Sequence, residues 1–495
     1  MSRLVPDWLV DWAAHAPDRL AVRATSFTWS YRELAAAADA LATALARSGA
    51  QEGTPVAALL ADDAPAVALV HAARRLGAVL VPLNRRAATP ELAGQLGQAR
   101  VTVVVHDDAH AARAAELAAG GASTLLAVEP VLSRPPTLLS EGALRSHVDL
   151  DAPATVVFTS GTTGHPKGVV LSYANHLASA DAWADALEPR PDDRWLACLP
   201  LFHVAGLAII VRTCRWGVPV EVVDRFVARQ LADRLEEGVS HVSLVPTQLR
   251  QLLEVISGRP GATASWRLRS ILLGGGPIPD DLLARARSAG LPVLTTYGLT
   301  ETASGIAVGG GDQASLVDPT ALRPLRGVSL RIAGADGAGV GQVQVRGPMV
   351  FGGYLGEPRA TAERLRDGWL DTGDVGRLDG EGCLHIVDRR DDLFVSGGEN
   401  VSPAEVEGVL CEHPGIVDAA VLGQPDPTWG SVPVAAIVVA TGSSISDATL
   451  ERHCRERLSG YKVPVRFHRL ATLPRNASGK IMRRELRDAL LEEPA

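Results

Sequence analysis

The chain has 495 residues, 46% of them apolar and 21% charged, and a net charge of −8 at pH 7. That length is too great for one hydrophobic core, so two or more domains are expected, and the acidic balance argues against a nucleic-acid partner, which usually wants a basic face. Five scattered cysteines (Cys198, Cys214, Cys383, Cys411 and Cys454) form no C-x-x-C, which speaks against a disulfide framework or a zinc site and fits a reducing cytoplasm.

In chain order, the first twenty residues carry acids and a proline within an apolar run and do not read as a signal peptide. No apolar stretch approaches the ~18 residues of a membrane span. Residues 31–50 predict a helix ending in Gly49, and 55–61 and 101–107 predict strands. Further strands are expected at 154–158, 241–246, 269–277 and 292–298, several running into glycine- or hydroxyl-rich loops. This alternation predicts an α/β architecture with a mostly parallel sheet and with functional loops at the carboxyl ends of its strands. The composition shifts near 380–400. Ser402-Pro403-Ala404-Glu405 reads as a capping box with proline at the first helical position. Strands follow at 416–423 and 432–440, then helices at 447–458 and after Lys480, enough for a small domain of its own.

Four segments carry chemistry. "TSGTTGHPKG" (159–168) offers an anion nest from the amides of Gly161 to Gly164 and the hydroxyls of Thr159, Ser160, Thr162 and Thr163, with Lys167 as a mobile charge. It is not the usual P-loop, because Gly168 stands where that loop has Ser or Thr. In "TTYGLTETAS" (295–304), Tyr297 can stack on a base, Thr300 can donate to a phosphate and Glu301 is a candidate Mg²⁺ ligand; alone, the segment reads as a strand end with a capping threonine. In "DGWLDTGDVGRLD" (367–379), Asp374 between tight glycine turns suits two ribose hydroxyls, within an expected hairpin whose acids are otherwise solvated. "RNASGKIMRREL" (475–486) sets Lys480 after a flexible Ser-Gly, which alone is the mark of an exposed lysine at a helix start.

Taken together, these segments resemble the adenylate-forming acyl-CoA synthetases, a family that includes luciferase and the adenylation domains of peptide synthetases. The resemblance covers most of the chain and rests on four separated motifs. It implies a large multi-sheet N-terminal domain (1–388), a hinge (389–391, with Asp391 at the hinge position) and a small mobile α+β C-terminal domain (392–495). It also implies two half-reactions: ATP and a carboxylic acid give an acyl-adenylate and pyrophosphate, and the thiol of coenzyme A then displaces AMP. Carried over residue by residue, the resemblance puts Thr159 to Lys167 on the β- and γ-phosphates. Gly275, Gly276 and Pro277 line the adenine and acyl pocket, with Tyr297 against the base. Thr300 contacts the α-phosphate, Glu301 positions Mg²⁺, Asp374 takes the ribose and Arg389 supports the nucleotide. Lys480 acts in adenylation, while Gly397, Gly398 and Glu399 belong to the thioester-forming loop. One departure is Asp388, where the family usually has glycine before the arginine.

"LPLFHVAGLAIIVRTCRWG" (199–217) bears on the acid. His203 matches a residue near the acyl pocket that gates the thiol tunnel. Arg212, nine positions on, reads by itself as a snorkelling or acid-paired arginine. The segment also resembles the o-succinylbenzoate–CoA ligases of menaquinone synthesis, which have a basic residue there; that resemblance implies pairing with the substrate's second carboxylate, in a pocket with Gly274 and Ser304. The expected substrate is therefore o-succinylbenzoate, with a malonyl- or benzoate-type CoA ligase, a peptide-synthetase adenylation domain and an inactive nucleotide-binding regulator as alternatives. The partners implied are the small acid, ATP and coenzyme A, with no nucleic acid and no membrane span; the oligomeric state is left open, a homo-oligomer included.

Overall fold

The Ser30 hydroxyl accepts the Glu33 amide while the Glu33 carboxylate takes the Ser30 amide, and this capping box starts the helix Tyr31–Arg47. Its Leu34, Ala38, Leu41 and Leu45 recur at helical spacing and are all buried. The computed structural model describes residues 3–491 except 26, 88, 120–122, 134–143, 160–165, 258–265, 277, 311–319, 390–393, 397–398, 402, 427–428, 459 and 477–480.

Two large sheets build the N-terminal part. In the seven-stranded sheet, Pro55–Leu59 lies parallel to Val79–Pro82 and Val103–His106, and Pro153–Thr159 turns back antiparallel as Lys167–Ser172. In the nine-stranded sheet, Trp195–Ala197, Val220–Val222, His241–Leu244, Ser270–Leu273 and Val293–Leu299 run parallel; antiparallel strands close both edges. The predicted strands are present with shifted ends: 154–158 extends to Pro153–Thr159, whereas 241–246 ends at Leu244, because Pro246 opens the helix Pro246–Ser257. A third sheet holds Gly341–Arg346, Trp369–Leu378 and Leu384–Arg389. The C-terminal part has its own five-stranded sheet around the pair Ile416–Asp426 and Gly430–Val439, with its own core of Val406, Leu410, Val421, Ile437 and Leu450. Among the described residues no helix is long and apolar enough to cross a membrane.

The main core runs between the two large sheets, and His71 and His176 are both buried. Burial pushes His71 down to about 3 and His176 to about 4, and burial with the nearby Arg86 charge pushes His203 down to about 4. The unfolded chain protonates these side chains near pH 6.5 and the folded one refuses the proton, so stability falls as pH drops from 6.5 towards 4. His71 and His176 lose roughly 3 kcal/mol or more each across that window. Asp62, raised to about 6 mainly by burial, acts in the opposite sense but is one group against three. Urea-unfolding midpoints are expected to fall steadily between pH 7 and 4.5; a flat profile would contradict neutral burial of these histidines.

Candidate functional site

Thr159 and Lys167 are register partners on the antiparallel strands Pro153–Thr159 and Lys167–Ser172, which flank the glycine- and hydroxyl-rich segment. Ser160, Gly161, Thr162, Thr163 and Gly164 lie outside the described residues, as do Pro277, Asp391, Gly397, Gly398 and Lys480. What is described is the base of this strand pair. Lys167 Nζ sits 5.4 Å from the Tyr354 ring centroid, within cation–π range. Tyr354 belongs to the edge strand paired with Val169, and its hydroxyl donates to Glu301 Oε1 at 2.7 Å. Burial, and next the Glu301 carboxylate, raise the Tyr354 hydroxyl well above its ordinary value, so it stays a donor.

Thr300 and Glu301 form a 3₁₀ turn, Thr300–Thr302, at the carboxyl end of Val293–Leu299. Lys167 and Glu301, far apart in sequence and carried on different sheets, are thus joined through one tyrosine. Among the described residues no cluster of three or more His, Cys, Asp or Glu could hold a metal by itself. A carboxylate that shares Tyr354 with a lysine fits Mg²⁺, which takes one or two carboxylates and completes its octahedron with substrate phosphates and water. Such an ion would neutralise phosphate charge and align the triphosphate.

The third sheet supplies Asp374. The Tyr297 hydroxyl donates to Asp374 Oδ2 at 2.6 Å. The glycine turns expected around Asp374 are not what holds it. It lies inside the strand Trp369–Leu378, with its backbone paired to Arg389, and the turn comes later, between Asp379 and Cys383. Gly373 alone has φ of +78°, and a Cβ there would meet Arg364 Nη1 at 2.5 Å. Asp374 and Arg389, read as two nucleotide contacts, are therefore register partners on adjacent strands. Gly275, at φ +82°, and Gly276 follow the strand Ser270–Leu273, next to the strand that carries Tyr297.

The acid side is built on the helix Val204–Trp216. His203 is its N-cap residue; its ring packs on Phe202 at 4.4 Å, and among the described residues its buried Nε2 has no hydrogen-bond partner. Arg212 is 2% exposed. Its guanidinium lies between the rings of Trp183 and Trp195, 5.3 and 5.4 Å from their centroids. Nε donates to the Ala208 carbonyl at 3.1 Å and Nη2 to Ser304 Oγ at 3.3 Å. Among the described residues no carboxylate pairs with it, and burial alone pulls its pKa down to about 9. The surface or acid-paired reading of Arg212 is thus replaced by a buried, uncompensated cation beside Ser304.

The backbone that aims Ser304 is unusual. Ala303 and Ser304 have φ of +53° and +114°, positions that L residues rarely hold. Thr302 Oγ1 donates to the Ser304 carbonyl at 2.8 Å, and Ser179 Oγ to the Ala303 carbonyl at 3.0 Å, which pins the turn. Gly305 lets this strand approach Trp183, because a Cβ there would lie 2.6 Å from the indole. Gly274 is likewise tight, with its missing Cβ 2.3 Å from Thr296 Oγ1. Sequence reasoning missed Tyr354, Trp183 and Trp195. None lies in a chemical motif; the double glycine before Tyr354 was the one local cue.

The assembled groups are a lysine at the base of a strand pair, a carboxylate bonded to Tyr354, a buried carboxylate bonded to Tyr297, and a buried cation, all around the end of one strand. The chain is 38% identical over 499 residues to a 2-succinylbenzoate–CoA ligase of Bacillus cereus, with 100% of both chains covered. It superposes with a TM-score of 0.91, at 35% identity, on o-succinylbenzoate CoA synthetase of Bacillus subtilis in complex with its acyl-adenylate intermediate, covering 100% of this chain and 99% of that one. The same Bacillus subtilis enzyme in complex with ATP and magnesium ion gives 0.90 at 35% identity, covering 98% and 100%. Family models for the AMP-binding enzyme and for the AMP-binding enzyme C-terminal domain match residues 9–355 and 405–480. The chain belongs to the AMP-binding enzyme family, whose acid–CoA ligases share its fold from end to end.

Proposed function

We propose that this protein activates 2-succinylbenzoate to its CoA thioester through an acyl-adenylate, a step of menaquinone synthesis. A carboxylate oxygen of the acid attacks the α-phosphorus of ATP and pyrophosphate leaves. The thiol of CoA, losing its proton, then attacks the acyl carbon and AMP leaves. The chain's own groups serve the first step by alignment and charge: Lys167 and the amides of Gly161 to Gly164 hold the departing phosphates, Asp374 orients the ribose, and Glu301 is the protein ligand for Mg²⁺. The observation that carries the choice of acid is Arg212. A buried guanidinium lacking a carboxylate among the described residues has unmet charge, and an acid with a second carboxylate meets it. Pyrophosphate exchange into ATP tests the reading: it should require 2-succinylbenzoate, and exchange that proceeds as well with benzoate would overturn it.

The domain reading is supported by separate hydrophobic cores in the N-terminal and C-terminal parts. Residues 389–391 form the hinge, and the C-terminal domain presents Lys480 for adenylation and the loop of Gly397, Gly398 and Glu399 for CoA. Two reactions on one acyl group need different neighbours, and a swinging domain supplies them in turn. Lys480→Ala is therefore expected to abolish adenylate formation while retaining most thioester formation from supplied acyl-adenylate. Single-turnover assays of each half-reaction check this, and equal loss in both would contradict it. Free cysteines throughout accord with a cytoplasmic setting.

A further inference from the structure

Asp62 lies in the loop between the strand Pro55–Leu59 and the helix Ala64–Leu76, and is 6% exposed. Its Oδ1 accepts the Leu201 amide at 3.2 Å, and its Oδ2 is 3.6 Å from Arg85 Nη2. Its own amide donates to Asp224 Oδ1 at 3.0 Å, and Arg85 also pairs with Asp224. Asp62 and Arg85 follow strands of the seven-stranded sheet, while Leu201 and Asp224 follow strands of the nine-stranded one. The network thus ties the two sheets together at the carboxyl ends of their strands.

Its contact with the site is the segment 199–203. That segment runs directly under the helix Val204–Trp216: a Cβ on Gly206 would lie 2.3 Å from the Pro200 carbonyl. The His203 amide donates to the same carbonyl at 3.1 Å. His203 Nε2 makes no hydrogen bond among the described residues, so that nitrogen does not anchor the ring. The backbone of 199–203 sets its position, and Asp62 holds that backbone two residues away. A buried carboxylate with one amide and one distant arginine is a costly way to join two loops. The cost is intelligible if the loop must be placed accurately, since a displacement of about 1 Å at a reacting group can cost ~100-fold in rate.

We propose that Asp62 is a positioning residue for His203, fixing the 199–203 segment through the Leu201 amide. The proposal rests on His203 lining the acyl site. The test is a double-mutant cycle on single-turnover thioester formation from supplied 2-succinylbenzoyl-adenylate and CoA. Asp62→Ala should slow that step at least ~10-fold. In a His203→Ala background the same change should alter the rate less than about twofold, within the scatter of independent sites. Asp62→Asn keeps an oxygen for the Leu201 amide and should recover most of the rate. Should Asp62→Ala not fold, Asp62→Ser, too short to reach that amide, takes its place in the cycle. Equal slowing by Asp62→Ala in both backgrounds, or an Asp62→Asn variant as slow as alanine, overturns the proposal while leaving His203 in its role. A His203→Ala enzyme with wild-type rate removes His203 from the step and the proposal with it.

Discussion

Arg212→Met should lower kcat/KM for 2-succinylbenzoate by roughly 30- to 5,000-fold, the ~2–5 kcal/mol typical of truncating one partner of a buried charge pair. Loss should be small for an analogue lacking the second carboxylate, and KM for ATP should hold. The reason is local. The guanidinium is enclosed by Trp183 and Trp195 and bonded to Ser304 Oγ, but among the described residues it has no carboxylate. Burial lowers its pKa from 12.5 to about 9, a penalty on the order of 5 kcal/mol. For a base whose folded pKa is depressed, that penalty is fully present below pH 9 and is relieved only as pH rises towards 12.5. Methionine fills similar space without charge, so the variant should be as stable as the parent or more so, the usual mark of a residue kept for function. Equal loss for both acids, or a sharp drop in melting temperature, would return Arg212 to a structural role.

Glu301→Gln should cut adenylate formation by roughly 100- to 1,000-fold and raise the Mg²⁺ concentration needed for half-maximal rate. The substitution is nearly isosteric. Its amide oxygen can still accept the Tyr354 hydroxyl, and the Glu301 backbone carbonyl still accepts the Phe351 amide. The junction between the sheets should therefore survive while the metal-binding charge is lost. Thioester formation from supplied acyl-adenylate, which has no triphosphate to hold, should change little. Full adenylation activity with unchanged Mg²⁺ dependence would exclude Glu301 as the ligand.

Much of this was legible in the sequence, for identifiable reasons. Strands such as 154–158 and 292–298 are short apolar runs bounded by glycine, proline or hydroxyl residues, and they stand where expected. The candidate nucleotide residues sit in short motifs, so Thr300, Glu301, Tyr297 and Asp374 could be proposed without coordinates. What stayed hidden depends on distance. Tyr354 meets Lys167 and Glu301 only because three strands of two sheets converge. The aromatic box around Arg212 joins two helices and a strand, so nothing in 199–217 distinguishes a buried arginine from one that snorkels out. Asp374 was given its role through a turn, whereas a strand pair with Arg389 holds it. The left-handed Ala303 and Ser304 carry no glycine to announce them.

The measurement that bears most directly on the central claim is AMP release from ATP and CoA across a panel of acids. The account predicts CoA-dependent turnover with 2-succinylbenzoate, and kcat/KM for the monocarboxylates benzoate and short fatty acids lower by at least ~100-fold, the discrimination expected when a buried charged group loses its partner. Comparable turnover with benzoate or a short fatty acid would contradict it.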